Sequence, residues 1–525
     1  MLADMHKLMR DDPARRFVYG FTLEDMQMRL WHVSRAGSFV SYSFDFATNP
    51  RYAISFFLPL LLATKTELGL DPTITLADTP RATAEATFDI TVGEKTYRTQ
   101  RLLSTAGGTR WWEVRALDGL GNEVGGALTL KDAWVEIGQP TEGEILRDAT
   151  GTMKEEEKAC FMRVAAESRV YVDGALDQTP VVVRCGGKVV DVRRPPAAGG
   201  GPARAAGGEG KIKMLFALPG LEDRMADIIS STKVHHRIVF DEVGKSIAEL
   251  DSLQQVFECL GDAVEGLQAL HARGWVHRGI SEDSIAQVNG RGKLVRVEHA
   301  VKRGEECTPV TNTSPPYLTP IEVTRGEYLF ATFPHTPPPT IAIPDISRAE
   351  LRRRHAEFAA RMQEAQAAAA RAPQPAPPIR PRFAPNALHD LEAVFWLALR
   401  VLLCSSLRAP VGVAAADWGR CMETRREAAR EVFGGEVRRR AMLASEACLA
   451  EVLRGLGPVL ARIGAALECV RGELVRRYRE VEVECRGVGD GDAAAGLHVK
   501  FRAWFFYVAG LLEREDIAIN VHGEL

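Results

Sequence analysis

Between residues 17 and 48, apolar and polar positions alternate with turn residues interspersed, as in Phe17-Val18-Tyr19-Gly20-Phe21 and Met28-Arg29-Leu30-Trp31-His32-Val33. A period of two puts successive side chains on opposite faces, so this stretch predicts two or three antiparallel strands. A helix is predicted over about 52–67, broken by Asp71-Pro72. A second β-rich stretch covers roughly 85–131, with a turn at Ala106-Gly107-Gly108-Thr109 and a last strand, Leu128-Thr129-Leu130-Lys131. A helix is predicted from about Glu142, and Arg237-Ile238-Val239-Phe240 reads as a buried strand. Leu253, Val256, Phe257, Leu260, Val264, Leu267 and Leu270 then recur at helical spacing until Gly274, which stops the helix. After the segment Val276–Ile285 comes a short strand, Lys293–Val297. From Asn386 onward the pattern is helical: 386–404, 416–430, 435–478 with breaks, and 497–513.

Two segments carry no such pattern. Pro195–Gly210 is almost wholly Pro, Ala and Gly, and residues 333–385 hold Pro-rich flanks around the Ala/Arg/Glu-rich stretch Ser347–Arg371. Neither has enough apolar surface to order itself, so both read as insertions extruded from a folded body. At 525 residues the chain suggests two to four units. A net charge of −3 leaves no electrostatic footprint for nucleic acid or an anionic membrane. The nine cysteines form no Cys-x-x-Cys pair or Cys/His cluster, which argues for a reducing compartment and against a zinc site. The longest apolar run, Ile54–Ala63, is too short to span a bilayer. These features point to an intracellular chain, cytoplasmic or nuclear, with no nucleic-acid or membrane partner. A helix-like polar stretch leads almost at once into a strand, an abrupt start that suggests a missing upstream portion.

The order of strand, long amphipathic helix, apolar-His-Arg loop and short strand resembles the core of a protein-kinase C-lobe. More specifically, six segments in colinear order resemble the fungal-type protein kinase family typical of basidiomycetes. They are Phe17–Trp31, Glu67–Ile74, Thr129–Trp134 (TLKDAW), Glu142–Thr150 (EGEILRDAT), His277–Ile285 and His389–Trp396 (HDLEAVFW). The resemblance spans roughly residues 15–404 and implies an α+β, bilobal kinase-like fold. Residues 1–80 would be a family-associated β-rich/α segment, 81–245 an N-lobe with an insertion at 193–211, and 246–525 a helical C-lobe with an insertion at 333–385. For residues 1–80 a scaffold packed on the kinase body is favoured over a separate binding domain.

The resemblance also assigns roles. Lys131 would contact the α- and β-phosphates of ATP, paired with Glu144 or, in the rival helical phase, Glu142. The turn at 106–109 lacks the Gly-x-Gly-x-x-Gly spacing that arches amides over phosphates, and Phe240–Val243 would be the hinge that meets adenine. His277 and Arg278 keep the architectural part of the catalytic loop. Gly279 stands at the position of the base and has no side chain to take a proton. Ser284 replaces the metal-binding Asn. Aligned on Leu294 and Ala300, Arg296 falls on the metal aspartate, where its guanidinium could bind phosphate in place of Mg²⁺. Shifted by two, Glu298 does instead. Glu322 would be the ion-pair acid closing the activation segment Pro316–Glu322, and Asp390 the structural acceptor that holds the His-Arg loop.

Residues that hold the shape persist, and those that handle metal and proton are replaced. The expected function is a pseudokinase, an interaction or regulatory module for an unidentified protein partner. The alternative is an ATP- and Mg-dependent Ser/Thr-type kinase with displaced ligands, Glu298 holding metal with help from Asp283.

Overall fold

A computed structural model describes residues 1–77, 86–106, 108–179, 182–185, 188–191, 232–303, 315–330, 383–410, 412–453, 456–484, 494, 496–515, 517 and 519–520. The expected insertions at 193–211 and 333–385 lie outside the described residues, apart from 383–385. The chain divides into two compact units, Met1–Leu250 with Glu282–Ala300, and Asp251–Ser281 with Val301–Leu525. The boundary expected at residue 80 therefore does not separate units, and the stretch 282–300 groups with the first unit rather than with the helical one.

In the first unit, helix α1 (Leu2–Asp11) precedes strands β1 (Phe17–Glu24), β2 (Gln27–Ser34), β3 (Gly37–Val40) and β4 (Phe44–Asp45), which form a four-stranded antiparallel sheet. Helix α2 (Pro50–Leu62) packs Phe56 against Met28 and Leu30 of β2. It ends five residues before the expected position, because Glu67 turns back to accept from the Thr64 N–H (2.8 Å). A seven-stranded antiparallel sheet follows, built from β5 (Ile74–Leu76), β6 (Phe88–Val92), β7 (Lys95–Ala106), β8 (Thr109–Leu117), β9 (Glu123–Glu136), β10 (Val164–Arg169) and β11 (Lys233–Phe240) in the order β10-β11-β9-β8-β7-β6-β5. Alternation along these strands buries Ile90, Trp112, Val114, Leu130 and Val239 as one core. Helix α3 (Glu142–Thr150) and the hairpin β12 (Ile285–Val288) and β13 (Arg291–Leu294) complete the unit. β13 stops three residues short of the expected strand end, and Arg296 adopts a left-handed conformation (φ 62°, ψ 42°).

Residues 1–77 are joined to the seven-stranded sheet by a buried polar knot. Arg237 on β11 donates to Asp71 Oδ2 (2.6 Å) and Thr73 Oγ1 (2.7 Å). Its neighbour His235 bonds Asp132 Oδ1 (2.5 Å) and Asp177 Oδ2 (2.8 Å), and Arg16 closes the chain on Asp177 Oδ1 (2.7 Å). Burial pulls His235 down, but the flanking Asp132 and Asp177 outweigh it and raise its pKa. Burial likewise pushes Asp132 up, and His235 and Arg237 hold it well below the carboxylate range.

The second unit is mainly helical. α4 (Leu253–His271) buries all seven apolar positions picked out by their helical spacing, and Ser252 caps its first turn by accepting from the Gln255 N–H. α5 (Ala387–Cys404) is buried along nearly its whole length, and α6 (Pro458–Glu484) and α7 (Leu497–Glu515) follow. α7 lies close against α4, where Phe505 meets Phe257 and a Cβ on Gly261 would stand 2.9 Å from the Phe506 ring. The broken pattern at 435–478 resolves into Glu436–Ala444, Glu446–Val452 and α6. Among the described residues no helix is long and apolar enough to cross a membrane.

Arg237→Leu is expected to leave Asp71 buried without its cation and to cost about 3–5 kcal/mol of stability. Urea unfolding followed by circular dichroism checks it, and a loss below about 1 kcal/mol contradicts the knot's role.

Candidate functional site

Lys131 lies on β9 with Trp111 directly opposite on β8 and Ile238 opposite on β11. The sheet register points its side chain away from the apolar core of Leu130 and into a charged enclosure. Its ammonium bonds Glu142 Oε2 (2.5 Å) and Glu298 Oε1 (2.8 Å) and lies 4.9 Å from the centroid of the Trp111 ring. That ring stacks on Phe240, and Lys131 is 1% exposed. The partner is therefore Glu142 and not the expected Glu144. Glu144 is the third residue of α3 and turns back in a capping box, accepting from the Thr141 N–H (2.8 Å) while Thr141 Oγ1 accepts from its own N–H. Glu142, two residues earlier, faces Lys131, and its other oxygen accepts from the Val297 N–H (3.0 Å).

Two carboxylates thus share one ammonium. Burial pushes Glu142 upward, Lys131 pulls it down, and Glu298 beside it pushes it up again, leaving it raised. Burial also pushes Glu298 up, but Lys131, His299 and Arg296 outweigh it and hold it well below the usual carboxylate range. Arg296 stands between two acids, its Nη1 3.5 Å from Asp283 Oδ2 and its Nε 3.9 Å from Glu298 Oε1. Arg296 is thus shared between Glu298 and Asp283, and His299 Nε2 lies 3.6 Å from Glu298 Oε1. Glu298 Oε2 is buried with no hydrogen-bond partner among the described residues. Among the described residues no group of three or more His, Cys, Asp or Glu side chains is placed to hold a metal ion.

A cavity of about 70 Å³ adjoins this cluster, lined among others by Trp111, Thr129, Gly244, Asp283 and Val295. That is well below the roughly 300 Å³ at which small-molecule pockets begin. Lys131 does not line it, and Trp111, which does, covers the ammonium. The expected hinge is drawn in on both sides. Glu242 O accepts from Thr129 Oγ1 (2.7 Å), and the Glu242 carboxylate binds Lys293 Nζ at 2.7 and 2.8 Å. Gly244 passes so near the hairpin that a Cβ there would stand 2.9 Å from Ala286 Cβ. Ser284 is fully buried, and its carbonyl accepts from the Val295 N–H (2.9 Å). In the turn at 106–109, Ala106 pairs with Thr109 and Gly108 takes φ 85°, while Gly107 lies outside the described residues.

The His-Arg loop belongs to the second unit. Asp390, near the start of α5, accepts from the N–H of His277 (2.6 Å) and of Arg278 (2.8 Å) and from His271 Nε2 (2.8 Å). These bonds hold Arg278 at φ 64°, outside the usual range for a side-chain-bearing residue. Gly279 contributes only its N–H, given to His277 Nδ1 (3.2 Å). Among the described residues, Glu322 does not form the expected ion pair with a permanent cation. Its carboxylate accepts from Leu329 N–H (2.8 Å) and from His389 Nε2 (3.0 Å), whose other nitrogen accepts from Asn386 N–H. Burial, helped by Glu392, pushes Glu322 up to about 7 despite a bond to Glu482. Burial takes His389 down to about 4, so the histidine is uncharged at pH 7 and the contact is a hydrogen bond rather than an ion pair. The segment is held instead by Arg439, which donates to the carbonyls of Pro316 (2.6 Å) and Thr319 (2.8 Å). Trp111, His271 and Arg439 went unmarked at the sequence level. Only for Trp111 was there a readable signal, its place opposite Lys131 in a hairpin.

Lys131→Met is expected to leave two facing carboxylates and to cost about 3–5 kcal/mol at pH 7. The loss shrinks as pH falls through the carboxylate range, which urea unfolding at pH 7 and pH 4 checks. Glu144→Ala should cost only about 1 kcal/mol, the capping contribution, and Glu142→Ala more. In the second unit, the raised Glu322 binds a proton in the folded state that the unfolded chain has lost. Stability therefore falls as pH rises from its ordinary value, 4.5, to about 7. The lowered His389 has the opposite sign between about 4 and 6.5. Glu322→Gln should accordingly unmask a stability that rises with pH over that window, read as melting temperature against pH.

Among curated proteins none matches the chain. Of solved structures, it is similar to one described as the structure of vaccinia related kinase 3, at 8% identity and a TM-score of 0.35, covering 82% of this chain and 91% of that one. A likeness of that size carries no argument. The sequence profile described as fungal protein kinase matches residues 1–402, about three quarters of the chain. It runs through the enclosed Lys131, the Asp390-bound His-Arg loop and the closing segment at Glu322, and the chain belongs to the fungal protein kinase family.

Proposed function

We propose that this chain is a pseudokinase, a regulatory or interaction module on a bilobal kinase frame that transfers no phosphate. One observation carries the reading. Lys131, the residue that would contact the phosphates of ATP, is sealed between Glu142 and Glu298 under Trp111, and a second cation, Arg296, stands beside Glu298. A kinase places Mg²⁺ where the metal aspartate stands, and the metal neutralises nearby oxygens. Here the guanidinium supplies that positive charge from within the chain, so a divalent cation gains little by entering. Gly279 adds the loss of any side chain able to orient a hydroxyl. ATP and Mg²⁺ do not fit the enclosed cluster or a cavity of about 70 Å³, and no step is routed through them. What remains is a rigid surface for a protein partner.

One feature favours the rival reading, an active kinase with displaced ligands. Glu298 Oε2 is buried without a hydrogen-bond partner among the described residues, and an acid oxygen of this kind suits a cation.

Thermal shift with ATP, with and without Mg²⁺, beside radiolabelled phosphate transfer to a generic substrate, separates the two. The pseudokinase reading expects no Mg²⁺-dependent stabilisation and no transfer. Metal-dependent stabilisation together with transfer that disappears in Lys131→Met would overturn it. The paired change Gly279→Asp with Arg296→Asp removes the internal cation and should create a Mg²⁺-dependent stabilisation that the native chain lacks.

A further inference from the structure

A second cavity, of about 230 Å³, lies in the first unit where the last turn of α1, the β2–β3 turn and the start of β8 converge. It shares no lining residue with the smaller cavity beside Lys131. Its wall carries Arg10, Arg35, Arg110 and His6 together with the hydroxyls of Ser34 and Thr109, and no acid. We propose that this cavity binds a small phosphorylated anion, of the size of a diphosphate or a compact phosphate monoester.

The guanidinium groups are placed for it. Arg110, 5% exposed, gives Nη2 to the carbonyls of Met9 (2.8 Å), Arg10 (3.0 Å) and Asp12 (3.1 Å). Arg35 gives Nη2 to Met9 O (3.0 Å) and Arg15 O (3.3 Å). These bonds fix both forks through one nitrogen each, against neutral carbonyls. Arg35 Nε is buried and has no hydrogen-bond partner among the described residues. The acids near enough to matter are committed elsewhere: Asp132 to His235, Asp12 to Arg15 and the Ala14 N–H, and Asp11 to Arg10 on the surface. Burial, with the like charge of Arg110, lowers Arg35 to about 10, and burial lowers Arg110 as well. With no acid in the cavity wall itself, the two buried cations side by side favour a polyvalent anion between them. A polyvalent phosphoryl group offers enough oxygens and charge to engage both planar forks at once. The volume of about 230 Å³ leaves room for a diphosphate.

Isothermal titration of the full chain with inorganic pyrophosphate at low ionic strength tests the proposal. One-to-one binding that weakens as salt is added is expected. Arg35→Gln should weaken it about tenfold or more. Arg10→Ala, whose side chain is exposed and which should leave the melting curve unchanged, should weaken it by a smaller factor. No saturable heat at millimolar pyrophosphate overturns the assignment, as does binding that is unchanged in both variants.

Discussion

An ammonium group taken out of water must be balanced nearby, and in the first unit that requirement organises everything around Lys131. Two carboxylates answer it, one from the start of α3 and one from the stretch after β13. Two acids against one base leave a net negative charge in a buried place, and Arg296, shared between Glu298 and Asp283, offsets part of it. The desolvation of such a cluster is costly unless every partner is present. Each residue therefore constrains the others. α3 must dock through Glu142, the stretch 295–298 must bring Glu298 inward while donating the Val297 N–H to Glu142, and Trp111 must cover the ammonium.

The second unit shows the complementary half of the pattern. Asp390 gathers three donors, two from the backbone of the His-Arg loop and one from His271. Burial pushes this carboxyl up, but those donors hold its pKa below the usual range. Such a carboxylate is strongly committed to its bonds, and it keeps the loop in a left-handed turn although the loop's acid has become glycine. Loop shape and loop chemistry have separate physical supports, which is why one persists without the other. The same separation holds at Glu322, where a buried carboxyl keeps its place through His389 and a backbone amide while Arg439 ties down the segment before it.

Residues 1–77 join the seven-stranded sheet through β5, whose Ile74 enters its apolar core, and through buried polar contacts. Arg237 reaches Asp71, Arg16 reaches Asp177, and Arg110 reaches the end of α1. Contacts of this kind fix direction and register, since a guanidinium fork accepts few geometries. They also bring arginines of two different sheets to the wall of one cavity.

The sequence by itself determined most of the element order and the family, and pointed to the positions where a kinase's acids would be expected. Periodicity reports burial one element at a time, so α4, α5 and the strand at 237–240 were legible, and motif order located Lys131, Gly279, Ser284, Arg296 and Asp390. It left open which glutamate meets Lys131, because Glu142 and Glu144 are two residues apart on one helical turn and both match. Only the tertiary structure decided for Glu142, through the capping box that occupies Glu144. It alone turned Glu298 from a candidate metal ligand into a partner of Lys131, placed Trp111 over the ammonium, and replaced the expected ion pair of Glu322 by a neutral histidine. Each of these depends on residues far apart in the chain meeting in a dry interior, where charge must balance, and no local pattern records that balance.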